Sequence, residues 1–136
     1  MLHPRIIPCL LIRNKGLVKT IKFKNPKYVG DPINAVKIFN EKEVDELIVL
    51  NIDATEMKRE PDYKLISYLA NECRMPLCYG GGISKVSQAK RILSLGVEKV
   101  AISSVIAHNP DLISEIAKEI GSQSVVVVLD VKKKLF

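Results

Sequence analysis

Three consecutive glycines at positions 80–82 stand between an apolar run and a helical pattern, and this placement could hold an anion. Without Cβ atoms, adjacent backbone N–H groups can wrap a phosphate, and the positive end of a helix beginning at Ser84 would add to the attraction. Hydroxyl residues end the next apolar run, and a lysine-rich stretch could supply charge. The alternative is a tight strand-to-helix turn. The candidate phosphate-binding residues are Lys19, Gly81, Gly82, Ser103 and Ser104.

A carboxylate, Asp130, closes the apolar run "SVVVVLD" at 124–130. A partly desolvated carboxylate at the mouth of such a strand could act as a general acid or base, which makes Asp130 the candidate catalytic residue. A helix cap or an ion pair with a nearby lysine is the alternative. Asp53 is a weaker candidate because it could cap the turn that follows it.

Charged residues also stand at the starts of three apolar runs, namely Arg5, Glu46 and Lys99. At inward-facing strand starts, such residues could form an ion-paired layer that closes the bottom of a barrel. A solvated sheet edge is an equally good interpretation of the spacing alone.

Positive charge is concentrated near the beginning of the chain. The formal net charge is +6, and residues 1–30 hold seven of the 21 basic residues but no Asp or Glu. Such a segment could bind nucleic acid, an anionic small molecule or an acidic partner. The segment has two aromatic residues and no RNA-binding motif, so a phosphorylated small molecule is favoured over nucleic acid. A solvated loop is the alternative.

The elements that must position these residues alternate regularly. Strand patterns are predicted at 5–12, 46–52, 76–79, 99–103 and 124–130, and helices are predicted after 31–32, within 60–73, after Ser84 and from 109–110 to Gly121. Nearly continuous apolar strands predict a parallel sheet and an α/β fold. The pattern alone favours an open doubly wound sheet, because a complete (β/α)8 barrel usually needs about 250 residues. The one long connection, 13–30, is expected to be functional.

Length and composition limit the classes of protein to which the chain can belong. The 136 residues, 47% of them hydrophobic, suffice for a single domain over 1–136. No apolar run approaches the roughly 20 residues of a membrane span, so a cytoplasmic protein without a membrane partner is expected. Three cysteines, at 9, 73 and 78, form no CxxC pair and are predicted to be free thiols. We expect no metal ion and no cofactor.

The segments "RIIPCLLIRNKGLVK", "YGGGI", "GVEKVAIS" and "NPDLISEIAKEIGSQSVVVVLDVK" resemble, in order and spacing, the cyclase subunit family of imidazole glycerol phosphate synthase, the HisF family. The resemblance covers the whole chain and implies a partial (β/α)8 barrel, with about five parallel strands and four helices, in place of the open sheet.

The resemblance also implies a reaction. In the family, a partner glutaminase (a glutamine amidotransferase subunit) releases ammonia, which crosses the barrel and meets a substrate carrying two phosphates. As a carbon–nitrogen lyase of histidine biosynthesis, the enzyme makes imidazole glycerol phosphate and AICAR from PRFAR. Asp130 matches the second catalytic carboxylate of the family. Arg5, Glu46 and Lys99 match members of the charged gate that admits ammonia.

Three departures from the family pattern bear on function. The first catalytic carboxylate would stand at position 11, where this chain has Leu11, and a leucine cannot transfer a proton. Asn51 replaces an aspartate, and Ser103 replaces an amide side chain. The resemblance ends after the fifth strand, so we expect a truncated product or fragment corresponding to the amino-terminal half. Its unpaired sheet edges predict self-association.

The sequence therefore predicts a HisF-like subunit that receives ammonia from a glutaminase. Loss of the first carboxylate with retention of the gate favours a paralogue that installs acetamidino groups on nucleotide-linked surface sugars. The ordinary histidine-pathway cyclase is one alternative. A non-catalytic subunit that only docks a glutaminase is another.

Overall fold

A computed structural model describes residues 2–22, 24–55, 57–103, 108–131 and 133–134. Strands and helices alternate after an initial hairpin. The strands are β1 (Cys9–Arg13), β2 (Gly16–Ile21), β3 (Lys24–Gly30), β4 (Leu47–Asn51), β5 (Leu77–Gly80), β6 (Lys99–Ile102) and β7 (Val125–Val127). The helices are α1 (Pro32–Glu41), α2 (Tyr63–Glu72), α3 (Val86–Ser94) and α4 (Asp111–Ile120).

The strands form one seven-stranded sheet in the order β3-β2-β1-β4-β5-β6-β7. The five strands from β1 to β7 along this order pair in parallel, while β2 and β3 pair antiparallel. The register places Leu11 opposite Leu50, Leu50 opposite Gly80, and Gly80 opposite Ala101. These residues therefore lie in one row across four neighbouring strands.

The hydrophobic core lies on one face of this sheet. Alternate strand residues, such as Ile12, Val49 and Val100, are buried against the apolar sides of the helices, which contribute Ile66 and Ile92. The side chains between them along each strand lie on the opposite, inner face and are not part of that core cluster. A doubly wound sheet would be covered by helices on both faces, so the open-sheet interpretation is wrong and the partial barrel predicted from the resemblance fits.

Local sequence signals account for several helix boundaries. Asp31 caps α1 by accepting a hydrogen bond from the Ile33 N–H (3.3 Å), and Pro32 occupies the first helical position, as predicted. Asp62 caps α2 in the same way through the Leu65 N–H at 3.1 Å. Gly121 ends α4 with a φ of 94°, a conformation that favours glycine.

The described residues of the basic stretch 13–30 form β2, β3 and the turn before β2, so the prediction of one long loop is wrong. Asn14 and Lys15, with φ of 49° and 63°, form the tight turn that folds β2 back onto β1. The Asn14 N–H donates to the buried carboxylate of Asp53 at 3.1 Å, and Lys15 lies 3.7 Å from Asp62. The hairpin turn is therefore anchored to the segment between β4 and α2.

Candidate functional site

A cavity of about 330 Å³ opens at the carboxyl ends of β4, β5, β6 and β7. Parallel strands bring their carboxyl ends to one rim, which is why residues from four separate segments meet there. The polar and glycine residues that line it are Asn51, Thr55, Gly80, Gly81, Gly82, Ser103 and Asp130. Four of the predicted site residues, Gly81, Gly82, Ser103 and Asp130, are therefore brought together.

The remaining predicted phosphate ligands do not reach this cavity in the described structure. Lys19 is exposed on β2, where it pairs with Lys27 of β3, and it is not among the lining residues. Ser104 lies outside the described residues. The contribution of both residues to anion binding stays a prediction.

The glycine turn is required by the protein's own packing as well as suited to an anion. A Cβ atom at Gly81 would lie 2.5 Å from the backbone oxygen of Asn51, and one at Gly82 would lie 2.9 Å from that of Arg59. The φ values of Gly81 (129°) and Gly82 (72°) also favour glycine. The close approach to this backbone thus comes first from the segment that follows β4, while the cavity side remains open.

The start of α3 differs from the prediction. The N-cap is Lys85, one residue after the predicted Ser84. The side-chain oxygen of Gln88 reaches back and accepts hydrogen bonds from the backbone N–H groups of Ser84 (2.7 Å) and Lys85 (3.1 Å). Because the helix supplies its own acceptor for these donors, an anion in the cavity would rely on the glycine amides more than on the helix end.

Asn51 and Asp53 shape the rim through hydrogen bonds to backbone. The Asn51 side-chain oxygen accepts from the N–H groups of Asp53 (3.2 Å) and Ala54 (3.3 Å), which turns the chain away from β4. Asp53 is 4% exposed and accepts from the hairpin turn. Its carboxylate thus faces the backbone of the β1–β2 turn, and the residue that accepts from the turn following β4 is Asn51 and not, as had been predicted, Asp53.

Leu11 lies on the inner face in the same row as Leu50, Gly80 and Ala101, three residues that line the cavity. It is partly buried, on the level where the resemblance placed a first carboxylate. At this level the described inner face carries only aliphatic side chains and a glycine. Asp130 is thus the one carboxylate among the described lining residues of the cavity.

The opposite ends of the strands carry a second polar group. The Arg5 guanidinium lies 2.8 Å from the Glu46 carboxylate, and the Lys99 ammonium lies 3.5 Å from the same oxygen. Of the three residues predicted to form an ion-paired layer, Arg5 and Lys99 therefore both contact the third, Glu46. Burial raises the pKa of the neighbouring Cys78 thiol to about 11, although Lys99 lowers it.

The described ranges hold no cluster of three or more His, Cys, Asp or Glu side chains that could bind a metal ion. Within those same ranges, every helix is too short or too polar to cross a bilayer.

The similarity of the chain to known proteins identifies its family. The family model for histidine biosynthesis proteins matches residues 5–135. The chain belongs to this family. Its matched relatives carry the HisF name, so the predicted HisF-family membership is confirmed.

Three family members illustrate the range of similarity. A Vibrio vulnificus protein provisionally named imidazole glycerol phosphate synthase subunit hisF3 is 65% identical over 136 residues, 100% of this chain and 52% of the relative. A Pseudomonas aeruginosa protein provisionally named subunit hisF2 is 59% identical over 133 residues, 98% of this chain and 53% of the relative. Imidazole glycerol phosphate synthase subunit HisF of Lactococcus lactis subsp. lactis is 43% identical over 134 residues, 98% of this chain and 52% of the relative. The chain spans about half the length of the curated relatives it matches.

Sequence reasoning missed two residues that matter at the rim of this family member. Thr55 lines the cavity but was not among the predicted site residues. Tyr79, taken as part of a strand, places its hydroxyl against the glycine turn. A tyrosine in an otherwise apolar strand was the available signal, because a buried tyrosine hydroxyl usually has a hydrogen-bond partner.

Proposed function

We propose that this chain acts as a HisF-like subunit that receives ammonia from a partner glutaminase and delivers it to a phosphorylated substrate. One observation carries the proposal. The cavity with Gly82, Ser103 and Asp130 lies at one end of the parallel strands, and the ion-paired group centred on Glu46 lies at the other end. Such a pair of sites suits a molecule that enters at one end and reacts at the other.

At the cavity end, the substrate would place a phosphate against the N–H groups of Gly81 and Gly82 and the hydroxyl of Ser103. Backbone amides in a glycine turn present several donors at once, and hydrogen bonds to an anion are about twice as strong as neutral ones. Lys19 would complete the charge balance if the hairpin moves toward the cavity. Asp130, which is exposed beside the same cavity, would exchange protons with the reacting nitrogen or carbon.

At the other end, Arg5, Glu46 and Lys99 would form the ammonia gate. Ammonia is small and neutral, whereas ammonium ions and other cations would be held by the carboxylate or repelled by the two cationic side chains. The ion pairs hold these long side chains across the strand starts. A docked glutaminase that offers other partners to Arg5 or Lys99 would open the gap between them.

Leu11 separates the proposed role from histidine biosynthesis. Acid–base chemistry with two carboxylates needs a second proton carrier at that level, and the described cavity lining offers Asp130 alone. We therefore propose that the chain belongs to a paralogous branch that supplies ammonia for amidino groups on nucleotide-linked sugars. The Vibrio vulnificus and Pseudomonas aeruginosa relatives, at 65% and 59% identity, are more similar to this chain than the Lactococcus lactis subunit at 43%, which is consistent with a separate branch.

Two other functions remain as alternatives. The ordinary cyclase would convert PRFAR to imidazole glycerol phosphate and AICAR. Leu11 argues against this alternative because it cannot transfer a proton. A subunit that only docks a glutaminase would need the Glu46 ion pairs and not the cavity. The presence of both features favours delivery of ammonia to a bound substrate.

The test is a pair of measurements on the purified chain. With PRFAR and ammonium salt, we expect no imidazole glycerol phosphate, and turnover by the unmodified chain would establish the histidine-pathway alternative. With the glutaminase subunits of Vibrio vulnificus, we expect at least one to form a complex with the chain in a pull-down, and failure of all of them to bind would overturn the ammonia-delivery proposal. Turnover that appears in Leu11→Asp but not in Leu11→Asn would identify the lost carboxylate as the cause of inactivity.

A further inference from the structure

The hydroxyl of Tyr79 holds one peptide of the glycine turn. Its Oη atom lies 3.1 Å from the carbonyl oxygen of Gly81 and donates a hydrogen bond to it. Tyr79 belongs to β5, two residues before this carbonyl, so the side chain spans the turn at the end of its own strand. A phenylalanine would fill the same space in the core without holding the carbonyl.

The environment of Tyr79 keeps its hydroxyl protonated, so the hydroxyl remains a hydrogen-bond donor. The side chain is 3% exposed and packs within the hydrophobic core under the turn. Burial, reinforced by the Asp62 carboxylate, raises the pKa of the Tyr79 hydroxyl, while the neighbouring Asn51 side chain lowers it slightly. The hydroxyl therefore stays protonated throughout the range in which the protein would work. The protonated hydroxyl therefore keeps the O–H that it donates to the Gly81 carbonyl.

Fixing the Gly81 carbonyl also fixes the Gly82 N–H. Both groups belong to one trans peptide, in which the C=O and N–H bonds point in opposite directions. Tyr79 lies on the core face of β5, whereas its neighbour Gly80 lies on the inner face and lines the cavity. A carbonyl held toward the core side thus turns the Gly82 N–H toward the cavity. Within the described part of the chain, that N–H has no acceptor.

Without this hydrogen bond, the peptide would be free to rotate. Glycine residues accept both positive and negative φ, so two glycines in succession impose little restriction on the plane between them. The Asn51 backbone packs closely against Gly81 on one side and limits its position, but packing on one side does not fix the direction of the carbonyl. The hydroxyl of Tyr79 is the group that selects one orientation.

We infer that Tyr79 is a positioning residue for the anion site, because its hydroxyl holds the Gly81–Gly82 peptide with the Gly82 N–H directed at the cavity. The inference rests on the proposed function in one respect, that the cavity binds a phosphate group. The orientation of the peptide is a separate claim about the free protein and can be measured without any ligand.

The experiment compares the full chain with Tyr79→Phe by ¹H–¹⁵N NMR, with and without inorganic phosphate. In the free protein, Tyr79→Phe should shift and broaden the Gly82 amide signal because the peptide samples two orientations. Phosphate affinity should fall about five- to tenfold, the effect of losing one preorganised donor. Tyr68→Phe is the matched control, since it removes a hydroxyl from a side chain that is 54% exposed on α2.

The outcomes separate the two claims. If the chain binds phosphate and Tyr79→Phe leaves both the Gly82 signal and the affinity unchanged, Tyr79 has no positioning role. If no phosphate binds but the Gly82 signal changes as expected, the anion site fails while the positioning of the peptide stands. Urea unfolding of both variants detects a general loss of structure. A change spread over all core signals in Tyr79→Phe would assign the residue to packing alone and overturn the inference.

Discussion

The carboxylate of Glu46 lies 2.8 Å from the guanidinium of Arg5, although 41 residues separate them in sequence. Lys99 approaches the same carboxylate oxygen from β6, so cations from two distant segments share a single acceptor. Glu46 is the central member of this group. Removing its charge breaks both ion pairs at once and leaves two cations side by side.

Glu46→Gln should therefore change partner binding more than stability. The cationic partners are 57% and 31% exposed, and ion pairs of this kind contribute about 0–1 kcal/mol. We expect the free energy of unfolding in urea to change by less than about 1 kcal/mol. Capture by a glutaminase subunit should weaken clearly. Glu119→Gln, which breaks an exposed pair with Lys90 on the helical layer, is the control and should leave capture unchanged. Equal capture by both variants would exclude a role for Glu46 in docking or gating.

Gly81→Ala should be strongly destabilising because the added methyl group meets the Asn51 backbone. The clash would come from atoms that cannot rotate away, in addition to the strain of a φ of 129°. We expect a loss of about 3 kcal/mol or more in urea unfolding, of which positive φ explains about 1 kcal/mol. Gly96→Ala separates the effect of the clash from the effect of positive φ. Gly96 has a φ of 105°, but its added methyl group would contact only Ala70, at 3.6 Å. Similar losses in the two variants would contradict the packing explanation of the glycine turn.

The buried thiol of Cys78 predicts a loss of stability at alkaline pH. Its folded-state pKa of about 11 is higher than the ordinary value of 9.0, so the unfolded chain releases the proton first as the pH rises. The stability contributed by the protonated thiol is complete below pH 9.0 and declines as the pH rises toward 11, by about 3 kcal/mol in total.

The measurement is urea unfolding at a series of pH values for the unmodified chain and for Cys78→Ala. The free energy of unfolding should fall more steeply above pH 9.0 in the unmodified chain than in the variant. Comparing slopes cancels the cost of the cavity that the smaller side chain leaves. Parallel curves would show that Cys78 ionises alike in the folded and unfolded states.

Self-association through the sheet edge is a further prediction. β7 is an outermost strand of the described sheet, and Val127 on it is 41% exposed. Unpaired N–H and C=O groups beside apolar side chains favour pairing with another chain. Sedimentation velocity should show larger species as protein concentration increases, and Val127→Lys should shift the distribution toward monomer because a lysine discourages edge pairing. A monomer at every concentration would rule the prediction out.

Local signals predicted most of the parallel part of the fold. The Asp31–Pro32 pair set the start of α1, and continuous apolar runs gave β4, β5 and β6 to within about two residues. The sequence could not show that helices cover only one face, because apolar runs of four or five residues look alike in open sheets and barrels. The resemblance to a barrel family supplied that information.

The hairpin and the start of α3 were missed for identifiable physical reasons. Lysines at 19, 22, 24 and 27 hide the strand pattern of 16–30, and an Asn–Lys turn is a weaker hairpin signal than Asn–Gly. At α3, Gln88 accepts from the backbone N–H groups of Ser84 and Lys85, and the N-cap lies at Lys85 instead of the predicted Ser84. Convergence of the glycines with Ser103 and Asp130 was predictable, since strand ends share a rim. The position of Lys19 away from that rim could not be predicted, because the position depends on how the hairpin folds.

The central claim is that the glycine turn and its neighbours hold an anionic oxygen group. The most direct test is a titration of the ¹⁵N-labelled chain with inorganic phosphate, followed through the amide signals. We expect saturable shifts at Gly81, Gly82 and Ser103, and weaker binding in Ser103→Ala but not in Ser122→Ala, whose serine precedes β7 at the other end of the strands. Shifts confined to the lysines of β2 and β3, or no saturable shifts at all, would contradict the account.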